Sequence, residues 1–303
     1  MRSKVYVKKS EYANIYPTLQ SLMMSMPPLK FTGSKSAIIK LNLADIRTPE
    51  TGTVTHPLFL NGVLHYLREN FENLRIYVVE SDATMVLADK AVQWLGFVPI
   101  LQKWDAEFVN LSKGRVINRD IDGRYFKKIP VAEIFEIEHI FITLPKLKTN
   151  VRSVITCCLK NQFGCFPEVE KAKYHPRLDD VIADVNKTLR PNLCLIDAIT
   201  GMGGTQGPSF GVPVPLRAVI ASTDPVAADS YCARLMGFNP WFIGHIRKSS
   251  HSAIGSMRYK VQGDEIEKID FEIGKLEFRL LRYAVRLNSQ AHQRFRTQGG
   301  KRG

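Results

Sequence analysis

Apolar residues along this chain alternate between two spacings. From His56 to Phe71 they fall at 59, 60, 63, 64, 67 and 71, the three-and-four rhythm of one helix face. Thr84 to Leu95 repeats the rhythm and stops at Gly96, and Arg177 to Leu189 is the clearer helix within 151–189. Between these stretches stand short apolar runs of strand length: Ser36–Leu43, Leu74–Val79, His139–Leu144, Asn192–Ala198 and Arg217–Ser222. Asp224 to Met236 reads as a helix with Asp224 as N-cap and Pro225 at its first position. Two β-rich runs around 115–129 flank Asp122-Gly123, a hairpin signal. Strands alternating with helices predict an α/β fold, a mainly parallel sheet with helices on both faces and the hairpin as a small insertion. The boundaries implied are an N-terminal extension at 1–35, an α/β body at 36–274 and a basic C-terminal helix and tail at 275–303.

Composition leaves this picture in place. The 303 residues are 45% hydrophobic and 23% charged, values of an ordinary folded chain. The net charge of +13 is uneven, because the stretch from Lys275 onward holds eight basic residues and one acid. No apolar run of spanning length occurs, and the first residues lack a signal-peptide core. Five cysteines at 157, 158, 165, 194 and 232 are odd in number and unpaired in spacing, which predicts free thiols in a reducing compartment. The expected location is cytoplasmic, with the basic tail able to touch a membrane surface.

Ligands of open α/β sheets sit outside the carboxyl ends of the strands. Asn42 follows the first strand, and Glu80, Ser81 and Asp82 follow the second. Lys146, Lys148 and Thr149 follow the 139–144 run. Asp197 ends the 192–198 run and leads into the glycine-rich Gly201–Gly211 loop, while Asp224 follows 217–222. If these strands are parallel neighbours, the groups converge on one crevice. Lys160 and Asn161 return to it after a short helix, and three ammonium groups near one point call for an anion among them. The expected ligand is an anionic small molecule, bound by Lys146, Lys148 and Lys160 and oriented by Asn161. His175, Asp197 or Lys160 would handle protons, and Gly203, Gly204 and Gly207 would offer backbone donors. Asn42, Thr149, Asp224 and Asp229 complete the candidate set. The plainer reading makes the acids helix caps and the lysines solvated.

Other motifs fail on context. The Gly201–Gly211 loop is followed by Pro213 and Pro215 rather than by a helix, so it departs from a dinucleotide-binding turn. Gly207-Pro-Ser-Phe-Gly211 has the letters of a nucleophile elbow without its strand and helix. Gly33-Ser-Lys-Ser36 lacks the first glycine of a phosphate loop. Cys157, Cys158, Cys165 and His175 match no zinc or ferredoxin spacing, so no metal ligand is expected from spacing and no cofactor is indicated.

Leu144-Pro-Lys-Leu-Lys-Thr149, Lys160-Asn-Gln-Phe-Gly164 and Asp224-Pro-Val-Ala-Ala-Asp229, in this order, resemble the family called domain of unknown function 362 (DUF362). Ile38-Ile-Lys-Leu-Asn-Leu43 is similar to the family's first strand and Gly263-Asp264-Glu-Ile266 to its closing segment, so the resemblance runs from about residue 36 to 268. Asn150 stands where the family shows histidine, and Leu41 where it shows proline. The resemblance implies a loosely characterised group often described as iron–sulfur-associated. This chain has no added ferredoxin-type cysteine run. An enzyme on an anionic substrate is the first reading. A non-catalytic binding or scaffold protein, or a metal- or iron–sulfur-linked redox protein, stands beside it.

The tail places Arg279, Arg282 and Arg286 on one helical face with Phe278, Leu281 and Val285 beside it. Such a basic amphipathic helix, with the basic residues up to 302, can meet an anionic membrane surface or a protein partner. No specific nucleic-acid motif accompanies it.

Overall fold

A computed structural model describes residues 2–28, 35–204, 211–267, 269–271, 278 and 280–285. The chain runs through β1 (Ser3–Lys9), α1 (Ile15–Ser25), β2 (Ser36–Lys40), α2 (Pro57–Asn70), β3 (Arg75–Glu80), α3 (Ala88–Trp94), α4 (Val98–Lys103) and β4 (Ala106–Asn110). It continues with β5 (Val116–Asp120), β6 (Lys128–Ala132), β7 (Ile140–Thr143), β8 (Lys146–Asn150), β9 (Val154–Thr156) and α5 (Cys158–Asn161). Then come α6 (Leu178–Thr188), β10 (Leu193–Gly203), β11 (Val212–Ser222), α7 (Pro225–Leu235), α8 (Gly244–His251) and β12 (Tyr259–Gly263).

The main sheet has the order β12-β1-β11-β10-β7-β2-β3-β4, with β8 paired to β10 and β9 paired to β8. The run β10-β7-β2-β3-β4 is parallel throughout. Strand β11 is antiparallel to both of its neighbours. Strand alternation divides the core in two. Ala37 and Ile39 face the layer of α1 to α4, with Leu19, Phe59, Leu64 and Val92. Ile38 faces the other layer, with Leu159, Val181, Val226 and Ile246 from α5 to α8. The sheet is therefore covered on both faces, as its apolar strands require. Strands β5 and β6 form the separate hairpin, joined through 121–127.

Two features depart from the expected layout. Residues 3–9, within the expected N-terminal extension, form β1 between β11 and β12, burying Val5, Tyr6 and Val7. The antiparallel course of β11 sends its carboxyl end, and Asp224 with it, to the rim opposite the ends of β2, β3 and β7. Asp224 caps α7 there, accepting the Val226 and Ala227 N–H groups and the Ser3 hydroxyl. Residues 278 and 280–285 are helical, while Gly207 and the rest of the expected basic tail lie outside the described residues. Among the described residues no helix is long and apolar enough to cross a membrane.

Candidate functional site

The carboxyl ends of β2, β3, β7 and β10 place a set of buried cations side by side. Lysines 40, 146, 148 and 171 are all buried, and Lys160 is half-buried. Burying so many ammonium groups is costly unless each is satisfied, so their partners define the site.

Two lysines are neutralised within the protein. In the β8–β10 register Lys146 lies opposite Asp197, and its Nζ donates to Asp197 Oδ2 at 2.8 Å. The same Nζ donates to the Tyr12 hydroxyl at 2.8 Å, and Asp197 also accepts the His56 N–H at 3.0 Å. Tyr12 stacks on His56 at 3.8 Å and closes this pair from solvent. Burial holds Lys146 below its ordinary pKa against the pull of Asp197. Lys40 pairs with Glu80 at 2.6 Å, and Glu80 also accepts the Leu43 and Ser81 N–H groups.

The other three are held by neutral groups. Lys148 Nζ donates to the Thr53 carbonyl at 2.5 Å. The loop that brings Thr53 there needs Gly52 at φ 74°, where a Cβ would meet the Gly201 carbonyl at 2.2 Å. Lys160 Nζ sits over the Phe163 ring at 4.7 Å. Lys171 donates to Ser81 Oγ and the Asp82 carbonyl at 2.7 and 2.6 Å. Among the described residues no carboxylate forms an ion pair with Lys148, Lys160 or Lys171. Burial brings Lys148 down to about 7 against the pull of Asp45, with Lys160 and Lys146 adding to the fall. Burial with the neighbouring Lys171 and Lys40 brings Lys160 to about 8, and burial brings Lys171 to about 8 against the pull of Glu80.

Asn42 and Asn161 join the ends of β2 and α5. Asn42 Nδ2 donates to Asn161 Oδ1, and Asn161 Nδ2 donates to Thr143 Oγ1, both at 2.9 Å. Asn42 Oδ1 is buried and without a hydrogen bond. His175 is half-buried beside Arg152 and Lys160; burial and those two cations push it to about 4. A cleft of about 330 Å³ opens at Arg152 and His175 and carries Arg177, Lys248 and Arg282 with Asp179 and Asp180. Asn150 turns the chain towards it, accepting the Arg152 and Ser153 N–H groups at 3.0 Å. Val154 follows at φ 72°, a strained angle for a β-branched residue.

The structure thus gathers Asn42, Lys146, Lys148, Lys160, Asn161 and Asp197, and places His175 beside Lys160. Among the described residues it does not gather the others. Asp224 is on the far rim. Asp229 lies beneath α5, accepting the Cys158 and Leu159 N–H groups. Thr149 Oγ1 donates to the Gly204 carbonyl, and the Gly204 N–H donates to the Phe271 carbonyl. A Cβ on Gly203 would strike that same Phe271 carbonyl at 2.2 Å. These two glycines therefore serve the close passage of residues 269–271. Sequence reasoning missed Lys40, Lys171, Arg152 and Tyr12. Only Lys40, a lysine inside an otherwise apolar strand, carried a visible signal.

A family model described as domain of unknown function (DUF362) matches residues 38–234. The chain belongs to this family. The DUF362 match takes in all five of these lysines, while Tyr12 lies outside it. A thylakoid-associated protein of Synechocystis sp. is 25% identical over 252 residues, covering 79% of this chain and 76% of that protein. The solved lactate racemase apoprotein from Thermoanaerobacterium thermosaccharolyticum aligns at TM-score 0.43 and 12% identity, over 78% of this chain and 57% of that one. A Thermotoga maritima protein aligns at TM-score 0.41 and 11% identity, over 75% of this chain and 59% of that one. The chain thus spans less than two thirds of the length of either solved structure.

Proposed function

We propose that this protein is an enzyme that binds an anionic small molecule, a carboxylate or phosphate ester, beside Lys148 and Lys160 and moves a proton on it. The observation that carries this reading is that Lys148 and Lys160, with Lys171 beside them, have no carboxylate ion pair among the described residues. Evolved interiors rarely leave buried charge uncompensated, and such groups cluster at functional sites. An entering anion supplies the missing charge. Arg152 at the cleft mouth steers it, and Asn42 Oδ1 offers an acceptor for a ligand hydroxyl or amide. Near neutrality both lysines divide between ammonium and free amine, the condition for proton transfer at physiological pH. His175 stays neutral there.

The test is a thermal-shift panel of inorganic phosphate and phosphorylated and carboxylated metabolites on wild type, Lys148→Met and Lys160→Met. Wild type is expected to gain several degrees with at least one class, and both variants to lose the gain. Equal shifts in all three proteins, or none in wild type, would overturn the reading.

A second reading concerns location. The relative from Synechocystis is described as thylakoid-associated, and the present chain ends in Arg294, Arg296, Lys301 and Arg302. We infer that the basic tail attaches the protein to anionic lipid surfaces. Each basic residue near such a surface contributes about 1 kcal/mol. Co-sedimentation with vesicles containing phosphatidylglycerol is expected at low salt. Replacing those four residues with Gln should release most of the protein, and unchanged sedimentation would reject the idea.

A further inference from the structure

All five cysteines are buried and free, and four of them meet under α5. Cys157 and Cys158 open that helix with their Sγ atoms 3.8 Å apart. Cys232 on α7 lies against Cys157, and Cys194 on β10 lies against Cys158. Asp229, one turn before Cys232, comes to the same point. The Cys157 and Cys158 sulfurs and an Asp229 oxygen all lie within 4.8 Å of one another. We propose that Cys157, Cys158 and Asp229 form a site for one thiophilic divalent metal ion, zinc being the reference case, with His245 standing beside Asp229.

The geometry suits such an ion. A tetrahedral zinc with Zn–S bonds of about 2.3 Å holds two sulfurs about 3.8 Å apart, the separation seen here. Asp229 spends one lone pair of each oxygen on the Cys158 and Leu159 N–H groups, which fixes its plane and leaves the others open. His245 is the independent sign of a missing ligand. It is fully buried, and neither ring nitrogen has a hydrogen bond. Its Nε2 points to Asp229 Oδ2 at 3.9 Å and its Nδ1 to Asp179 Oδ1 at 3.7 Å. The imidazole, between two carboxylates and bonded to neither, borders the site at Asp229, where it can orient that carboxylate once a cation is held there.

On binding a divalent cation, Cys157 and Cys158 would lose their thiol protons to solvent, Asp229 would bind as the carboxylate, and the metal would balance most of the charge. Soft thiolates with a carboxylate favour zinc or ferrous iron over magnesium or calcium. The donors come from the start of α5 and from α7, so no spacing motif could reveal them. Metal binding would also anchor α5, the helix that carries Lys160 and Asn161.

The full chain, produced with added zinc and purified under reducing, oxygen-free conditions, should contain one equivalent of metal by mass spectrometry. Cobalt(II) added to chelator-stripped protein should give tetrahedral d–d bands and a near-ultraviolet thiolate-to-metal band. Cys158→Ser should weaken metal affinity at least tenfold. Cys165→Ser, altered at a buried thiol outside the cluster, should bind as wild type does. Should Cys158→Ser fail to fold, wild type decides alone: chelation should lower its melting midpoint and zinc should restore it. Metal-free protein with no thiolate band, equal loss in Cys165→Ser, or a Cys157–Cys158 disulfide under these conditions would overturn the proposal.

Discussion

Lys148 shows how much a single side chain can reveal once its surroundings are known. The residue is 2% exposed, yet its described polar partner is a carbonyl. Burial carries it from the ordinary 10.5 to about 7 in the folded chain. The sign of the linkage follows. Below pH 7 the group is charged in both states and the fold bears the full burial cost. Between pH 7 and 10.5 the unfolded chain holds the extra proton, so stability rises with pH. Lys160 and Lys171, each brought to about 8, add to the same slope. Lys148→Met keeps the length of the side chain and removes the charge. At pH 6 the variant is expected to be more stable than wild type by roughly a few kcal/mol, with the gap closing towards pH 10. Denaturant melts across that range provide the check; parallel profiles for the two proteins would show that Lys148 carries no buried charge. The same free amine means that anion affinity should fall as pH rises through 7 to 8.

Elements were legible where one physical signal dominated. The periodicity at 56–71 became α2, and the apolar runs at 36–43 and 74–79 became β2 and β3, each trimmed by a few residues. Asp224 and Pro225 marked the start of α7 because capping is local chemistry. Strand β8 was opaque for the opposite reason. Lys146-Leu-Lys-Thr-Asn150 reads as polar loop, and it is a buried strand only because Asp197 and the Thr53 carbonyl answer its lysines from elsewhere in the chain. Strand direction was equally hidden. The run at 217–222 has the same apolar letters as a parallel strand, but its chain turns back from β10 at Gly203 and Val212, so Asp224 leaves the crevice. The cysteine cluster was unreadable from spacing, because Asp229 and Cys232 reach Cys157 from α7 and Cys194 reaches Cys158 from β10. What the sequence could show was the inventory of cations at strand ends; which of them have partners is a property of the folded register.

At the scale of the whole molecule, the N-terminal strand ties the two ends of the described chain to the crevice. Strand β1 lies between β11 and β12, its Lys9 N–H donates to Asp264, and Ser3 reaches the Asp224 cap. Just after it, Tyr12 completes the Lys146–Asp197 pair. Val5, Tyr6 and Val7 are all buried. Burying side chains of this size contributes roughly 1.5–3 kcal/mol each, so the three together approach the net stability of about 5–15 kcal/mol typical of a domain. Losing β1 would also uncover β11 as an apolar edge open to pairing with other chains. A chain lacking residues 2–10 but keeping Tyr12 is therefore expected to be largely insoluble. Any soluble fraction should melt at least about 10 °C lower than the full chain, as a loss of several kcal/mol implies for a protein of this size. Circular-dichroism melts and solubility assays provide the measurement. A truncated protein that melts with the full chain would mean that the sheet closes without β1, and that residues 3–9 are an addition to a fold already complete at β11.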